Sequence, residues 1–212
     1  MKTRPNLLAG ESLPPAASQK RSIAKRARLH AAALALFGER GYEGASIEEI
    51  AARAKLAVGT FYQHYRSKRQ LLLALMDDLL EKLSQLNLRP EQSSDTRGAL
   101  RQLLERAFAA DLQYLGAYRA WREAMLSDPV LARKNAAIHA WTTARVAKLF
   151  RLLQRHPAAR RDADIPSLAR AMDNFFWSLL AEALHMPKPA LHRQIGAATH
   201  FIFHALFRDS SG

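Results

Sequence analysis

No stretch of this chain alternates apolar and polar residues as a half-buried strand must. Its apolar residues recur instead at intervals of three and four, starting with Ile23, Ala27, Ala31, Leu34 and Phe37, and that period dictates helices. The expected fold is therefore all-α, and the punctuation divides it. Gly41 stops a first helix over residues 22–40. Ser46, with Glu49 three residues on, is a capping box opening a short helix. A second short helix is expected over 57–64. Ser67 then caps a longer one, with Leu71, Leu72, Leu75, Leu79 and Leu83 as its stripe. A polar, proline-bearing loop follows over 87–96, and beyond it come only long helical patterns. The first runs over about 97–115, interrupted by Gly116 and continued to Leu126. Ser127-Asp128-Pro129 starts the next, with proline at its first position, reaching about Arg155. One more ends before Pro187, and the last spans about 190–207.

The 212 residues suffice for one sizeable domain or two small ones, and a 49% hydrophobic content leaves ample core. With no cysteine there is no disulfide, thiolate metal site or cysteine nucleophile. No apolar run reaches membrane-spanning length, and the first residues have no continuous apolar segment of the signal-peptide kind. The expectation is a cytoplasmic protein with no membrane partner. Residues 1–19, rich in Pro, Ser and Ala, are expected to form a disordered basic tail.

The formal net charge is +13, which attracts polyanions. It is unevenly placed: residues 1–70 hold 13 of the 32 Lys+Arg but 5 of the 19 Asp+Glu, a net of +8. That third contains residues 56–70, LAVGTFYQHYRSKRQ, which crowd aromatic, hydrogen-bonding and cationic side chains around one glycine. Two short helices joined by a tight turn make a helix-turn-helix. Ala51 is small where the second helix crosses the first, and Ile47, Ile50, Ala54, Leu56 and Phe61 hold the pair together. Phe61 and Tyr65 point inward. Thr60, Gln63 and His64 share the opposite face, where each can hydrogen-bond to base edges in a major groove. Gly59 permits close approach. Val58 either packs inward or meets a thymine methyl. Tyr62 reaches a phosphate, and Lys68, a cation in the first turn of the next helix, opposes that helix's dipole and so suits an anionic partner. Residues 18–28, SQKRSIAKRAR, read either as an arm on DNA or as a solvated tail.

The segment SIEEIAARAKLAVGTFYQHYRSKRQLL resembles the DNA-binding motif of the tetracycline-repressor (TetR) family, over residues 28–75. The resemblance implies a helix-turn-helix domain over 20–66, a connecting helix over 67–86, and a ligand-binding and dimerisation domain over 87–212. It implies a ligand-responsive dimer on palindromic double-stranded operator DNA, most members being repressors. Thr60, Gln63 and His64, with Val58 and Gly59 beside them, would then read bases, while Ser46, Tyr62, Lys68 and Lys55 would hold phosphates. Two residues depart from the pattern. Lys55 stands where the turn usually has glycine, a left-handed position that costs a side chain about 1 kcal/mol. Ala57 stands where the second helix usually has a Ser or Thr cap, a loss of about 1 kcal/mol.

In the larger half, the last two helices are apolar on more than one stripe and are the expected homodimer contact, through Leu168, Met172, Phe176, Leu179, Ala198, Ile202 and Leu206. A hydrophobic small-molecule effector, fatty acyl or aromatic and drug-like, is expected in a pocket walled by Phe108, Tyr114, Tyr118, Trp121, Met125, Trp141, Phe175 and Phe176. Asp111 is its polar anchor, or else an ion-pair partner for Arg122; His139, Asn174 and His185 are weaker anchors. No catalytic signature is present and no cofactor is expected. His200 and His204, four apart on the last helix, lack an acidic or cysteine neighbour and are not read as a metal site. The rival reading is a DNA-coating architectural protein.

Overall fold

The computed structural model describes residues 3–14, 20–87 and 95–207. Among these the regular elements are helices, as expected: α1 (Lys20–Arg40), α2 (Ile47–Arg53), α3 (Val58–Tyr62), α4 (Lys68–Gln85), α5 (Thr96–Asp111), α6 (Leu115–Ser127), α7 (Pro129–Leu153), α8 (Ile165–Ala183) and α9 (Lys188–Leu206), with a 3₁₀ turn at Leu112–Tyr114. The chain forms two compact units. One comprises Pro5–Lys82 and Tyr114–Asn135; the other takes Leu83–Gln113 and the chain from Ala136 onward. The unit around the helix-turn-helix thus takes in most of α4, all of α6 and the start of α7 as well as residues 20–66.

In that unit α1 packs along α6, and Gly116 allows it. A Cβ at Gly116 would collide with the Leu34 carbonyl oxygen on α1. The glycine therefore lies inside α6 as a point of close approach. The break expected at Gly116 falls instead at the 3₁₀ turn before it. Gly41, at φ +77°, ends α1 over the Glu123 carboxylate of α6, which accepts the Tyr42 N–H at 2.6 Å. Arg119 donates to the Gly38 carbonyl at 2.8 Å, so α6 caps the orphan carbonyls at the end of α1. α4 buries more than a stripe. Leu71 to Met76, Leu79 and Leu80 are all buried, as in a helix with neighbours on every side.

Residues 3–14 are not the loose tail expected from their composition. Leu7 is 1% exposed. Its N–H donates to Asp77 at 2.9 Å, and Lys134 Nζ donates to the carbonyls of Leu7 and Ala9 at 2.7 and 3.2 Å. Arg69 holds Glu11 at 2.5 Å and Asp128 at 2.6 Å, and Gln70 donates to the Ser12 carbonyl at 3.3 Å. One apolar anchor and a row of satisfied backbone groups make this segment a strap on the unit. The rest of the expected tail, residues 1–2 and 15–19, and most of the expected loop, residues 88–94, lie outside the described residues.

In the second unit α9 packs against α5 and α8. Its core includes Leu100, Leu104 and Phe108 of α5, and Ile195, Ala198, Ile202 and Leu206 of α9. Two polar groups are buried and satisfied: the Thr199 hydroxyl donates to the Ile195 carbonyl at 2.9 Å, and Asp173 meets His139 Nδ1 at 2.7 Å.

Candidate nucleic-acid interface

The site is built from local bonds first. Ser46 caps α2: its Oγ accepts from the Glu49 N–H at 3.1 Å, and Glu49 Oε2 accepts from the Ser46 N–H at 3.1 Å, completing the expected capping box. The turn out of α2 passes through Lys55 at φ +53°, the left-handed conformation that its place in the turn required. The Arg28 guanidinium of α1 donates to the Lys55 carbonyl at 2.8 Å, tying the turn to α1. Ala57 caps α3 without a side-chain bond, as its methyl dictates.

α3 is shorter than the 57–64 expected. It ends at Tyr62, Gln63 is its C-cap in right-handed helical conformation, and the His64 and Tyr65 N–H groups both donate to the Phe61 carbonyl at 2.9 Å. Phe61 and Tyr65 are buried, which fixes the rotation of α3. Gly59, Tyr62 and Gln63 are exposed, and Thr60, His64 and Val58 are half-buried. The row Thr60, Gln63, His64 is thus on the outer side, with His64 in the turn after the helix. A Cβ at Gly59 would meet nothing within 4 Å, so the fold itself does not demand glycine there. Tyr62, 49% exposed, stands edge-on to Phe61 with centroids 5.5 Å apart. Burial lowers the His64 pKa, and the charges of Arg26, Lys25 and His30 lower it further, which favours the neutral ring.

Lys68 departs from expectation. Its Nζ donates to the carbonyls of Tyr42 and Ala45 at 2.6 and 3.0 Å and stands 4.4 Å above the Tyr42 ring. It ties α4 to the α1–α2 loop, so its position in the first turn of α4 has an internal cause after all. Around α2, Arg53 holds Glu39 at 2.6 Å and Arg40 holds Glu49. From Lys20 the segment is helical, with Arg26 on Asp78 and Arg28 on the turn. Residues 18 and 19 lie outside the described ones. The Arg28 tie and the Lys68 bonds escaped the sequence reading because each joins segments distant along the chain.

The expected pocket residues fall into different units. Phe108, Asp111, Trp141, Phe175 and Phe176 belong to the second, where Phe176 meets Phe108 and Phe175 with centroids 5.1 and 5.8 Å apart. Tyr114, Tyr118, Trp121 and Met125 belong to the first. There Trp121 is fully buried with its indole N–H on Asn135 at 3.0 Å, and Tyr114 lies under Lys82. Of the expected dimer residues, Leu179, Ala198, Ile202 and Leu206 are buried within the protomer. The outer side of α8 and α9 is an apolar groove of about 290 Å³ that Leu168, Met172, Phe175, Phe201 and Ala205 help to line. Phe201, passed over in the sequence, is 66% exposed there.

The family model described as "Bacterial regulatory proteins, tetR family" matches residues 29–75. The chain is 35% identical over 85 residues to the HTH-type transcriptional activator FasR of Mycolicibacterium smegmatis, covering 40% of this chain and 39% of FasR. It is 46% identical over 55 residues to an HTH-type transcriptional repressor of Mycobacterium tuberculosis, covering 26% of this chain and 29% of that one. The chain thus spans less than half the length of either relative. Among solved structures, the complex of SmeT, a repressor from Stenotrophomonas maltophilia, with triclosan superposes at a TM-score of 0.69 with 22% identity, covering 88% of this chain and 93% of SmeT. At that identity the likeness is one of fold.

Proposed function

We propose that this chain, which belongs to the TetR family of transcriptional regulators, reads a palindromic operator as a homodimer and represses the neighbouring genes until a hydrophobic small molecule releases it. The observation that carries the DNA reading is the rotation of α3. Phe61 and Tyr65 are buried behind it, while Tyr62 and Gln63 are exposed in front, beside a half-buried His64. Thr60, Gln63 and His64 read base edges, with Val58 and Gly59 beside them. Tyr62, Lys55 and Ser46 hold phosphates. Lys68 keeps one N–H for a phosphate beyond its two carbonyl bonds. The groove on α8 and α9, with exposed Phe201, supports a two-fold contact between copies.

The Phe108–Phe176–Phe175 cluster supports an aromatic or acyl effector, in keeping with the triclosan complex of SmeT. Effector and operator are linked by population shift: the effector must favour a conformation that holds DNA poorly. FasR is named an activator and the Mycobacterium tuberculosis relative a repressor, so proteins similar to this chain act in both directions.

The test is a genomic DNA pull-down with the purified protein at near-physiological salt, followed by Gln63→Ala. One enriched palindrome, lost in the variant while bulk DNA binding persists, supports the reading. Diffuse recovery with no motif, equally affected by the variant, would instead favour the architectural role that the +13 net charge alone permits.

A further inference from the structure

A cavity of about 340 Å³ lies within the DNA-binding unit, between the N-terminal strap, α1, α4 and the turn after α3. Leu8, Leu13 and Pro14 of the strap roof it, and Ile23, Ala27 and Ala74 supply apolar wall. Ile23 is 60% exposed. The polar lining has one sign to spare. Asp78 is the only carboxylate among the described lining residues, and both its oxygens are engaged: Oδ1 accepts from Arg26 at 3.2 Å, and Oδ2 meets His30 Nδ1 at 3.0 Å. The second nitrogen of His30 is held by the Tyr65 hydroxyl at 2.5 Å. Arg26 donates to Asp78 and also hydrogen-bonds the Tyr65 hydroxyl, which leaves part of its five-donor guanidinium for an anion. Gln63 and His64 complete the rim, exposed and half-buried. The hydrogen-bonding capacity left over is mostly donor, beside a cation, above apolar walls. The volume is at the low end for small-molecule pockets.

We propose that this cavity is a small-molecule site, lined by none of the residues expected to wall the effector pocket, which takes an amphipathic anion. The apolar body rests between Ile23, Ala27 and the strap leucines, and a carboxylate or sulfonate accepts from Arg26. The inference rests on the operator reading in one respect. Gln63 and His64 are assigned to bases there, so an occupant that engages them lowers operator affinity, and operator lowers affinity for the occupant by the same factor. Binding of the anion itself does not depend on that reading.

The probe is 8-anilinonaphthalene-1-sulfonate, an apolar anion whose fluorescence rises in such sites, titrated into the full chain without DNA. Arg26→Gln should weaken binding on the order of tenfold or more, by loss of a charge-assisted bond. Ala27→Trp, at an exposed position of α1 that can fill the cavity without breaking a core, should abolish the saturable signal. Arg193→Gln, at an exposed position of α9 in the other unit, should leave it unchanged. Unaltered binding in both cavity variants, or loss in Arg193→Gln alone, would overturn the proposal. If the probe binds as expected but does not compete with any DNA, the site stands and its coupling to the operator falls.

Discussion

At Lys55 two costs of opposite sign meet. A side chain in the left-handed region costs about 1–2 kcal/mol. Glycine there would lose about 0.5–1 kcal/mol more chain entropy on folding. Lys55→Gly should therefore stabilise the protein by up to about 1 kcal/mol, read as a rise of a few degrees in Tm. If the Lys55 ammonium holds a phosphate, the same change lowers DNA affinity and reduces the slope of log affinity against log salt by about one. Stability and affinity moving in opposite directions would identify a residue kept for its charge. Tyr65 offers a second residue-scale test. Burial pushes its phenol up to about 12, above the ordinary value near 10. Between those values the unfolded chain releases a proton that the native chain keeps, so stability falls as pH rises through the window, by roughly 2–3 kcal/mol from this group. Tyr42, raised to about 12 by its own burial, adds to the fall. Tyr65→Phe should flatten the alkaline decline in Tm while leaving that from Tyr42; an unchanged decline would mean Tyr65 is not protected in the native state.

The elements differ in how far their own residues announce them. The α2–turn–α3 unit was legible because its causes are local: a capping box within four residues, a left-handed position at Lys55, and Phe61 and Tyr65 at helical spacing. The strap was not legible, because what orders it is Asp77, Lys134 and Arg69, each far along the chain. Gly116 misled for the same reason. Locally a glycine weakens a helix, whereas here it admits the Leu34 carbonyl of α1. Lys68 is unfavourable to its own helix dipole and favourable to two carbonyls that only the tertiary fold brings near. The strap yields a prediction at this scale. Leu7→Ala removes a fully buried side chain on a segment held by few other apolar contacts, and should cost about 2 kcal/mol. Chemical denaturation measures it, and a change below about 0.5 kcal/mol would mean the strap is not anchored on the unit.

At the scale of the whole molecule the proposed operator reading turns on assembly. With five residues α3 is short, so on that reading it would contact few bases. Two copies on one operator would then supply the specificity, their half-site energies adding once a dimer formed. The apolar groove on α8 and α9 is the surface able to supply that association, and Phe201 is its most exposed large side chain. Glutamate at 201 puts a charge where the contact would be desolvated. A buried unpaired carboxylate costs several kcal/mol, and a two-fold axis would place two of them in one interface. Phe201→Glu should accordingly shift sedimentation from dimer to monomer at micromolar concentration with unchanged helicity and unchanged thermal melting of the protomer. Operator binding should then rise with the square of protein concentration, whereas non-specific DNA binding, driven by the net charge, should hardly change. A variant that remains dimeric would move the interface off this groove, and a wild type that is monomeric yet binds a palindrome tightly would require the operator itself to assemble the pair.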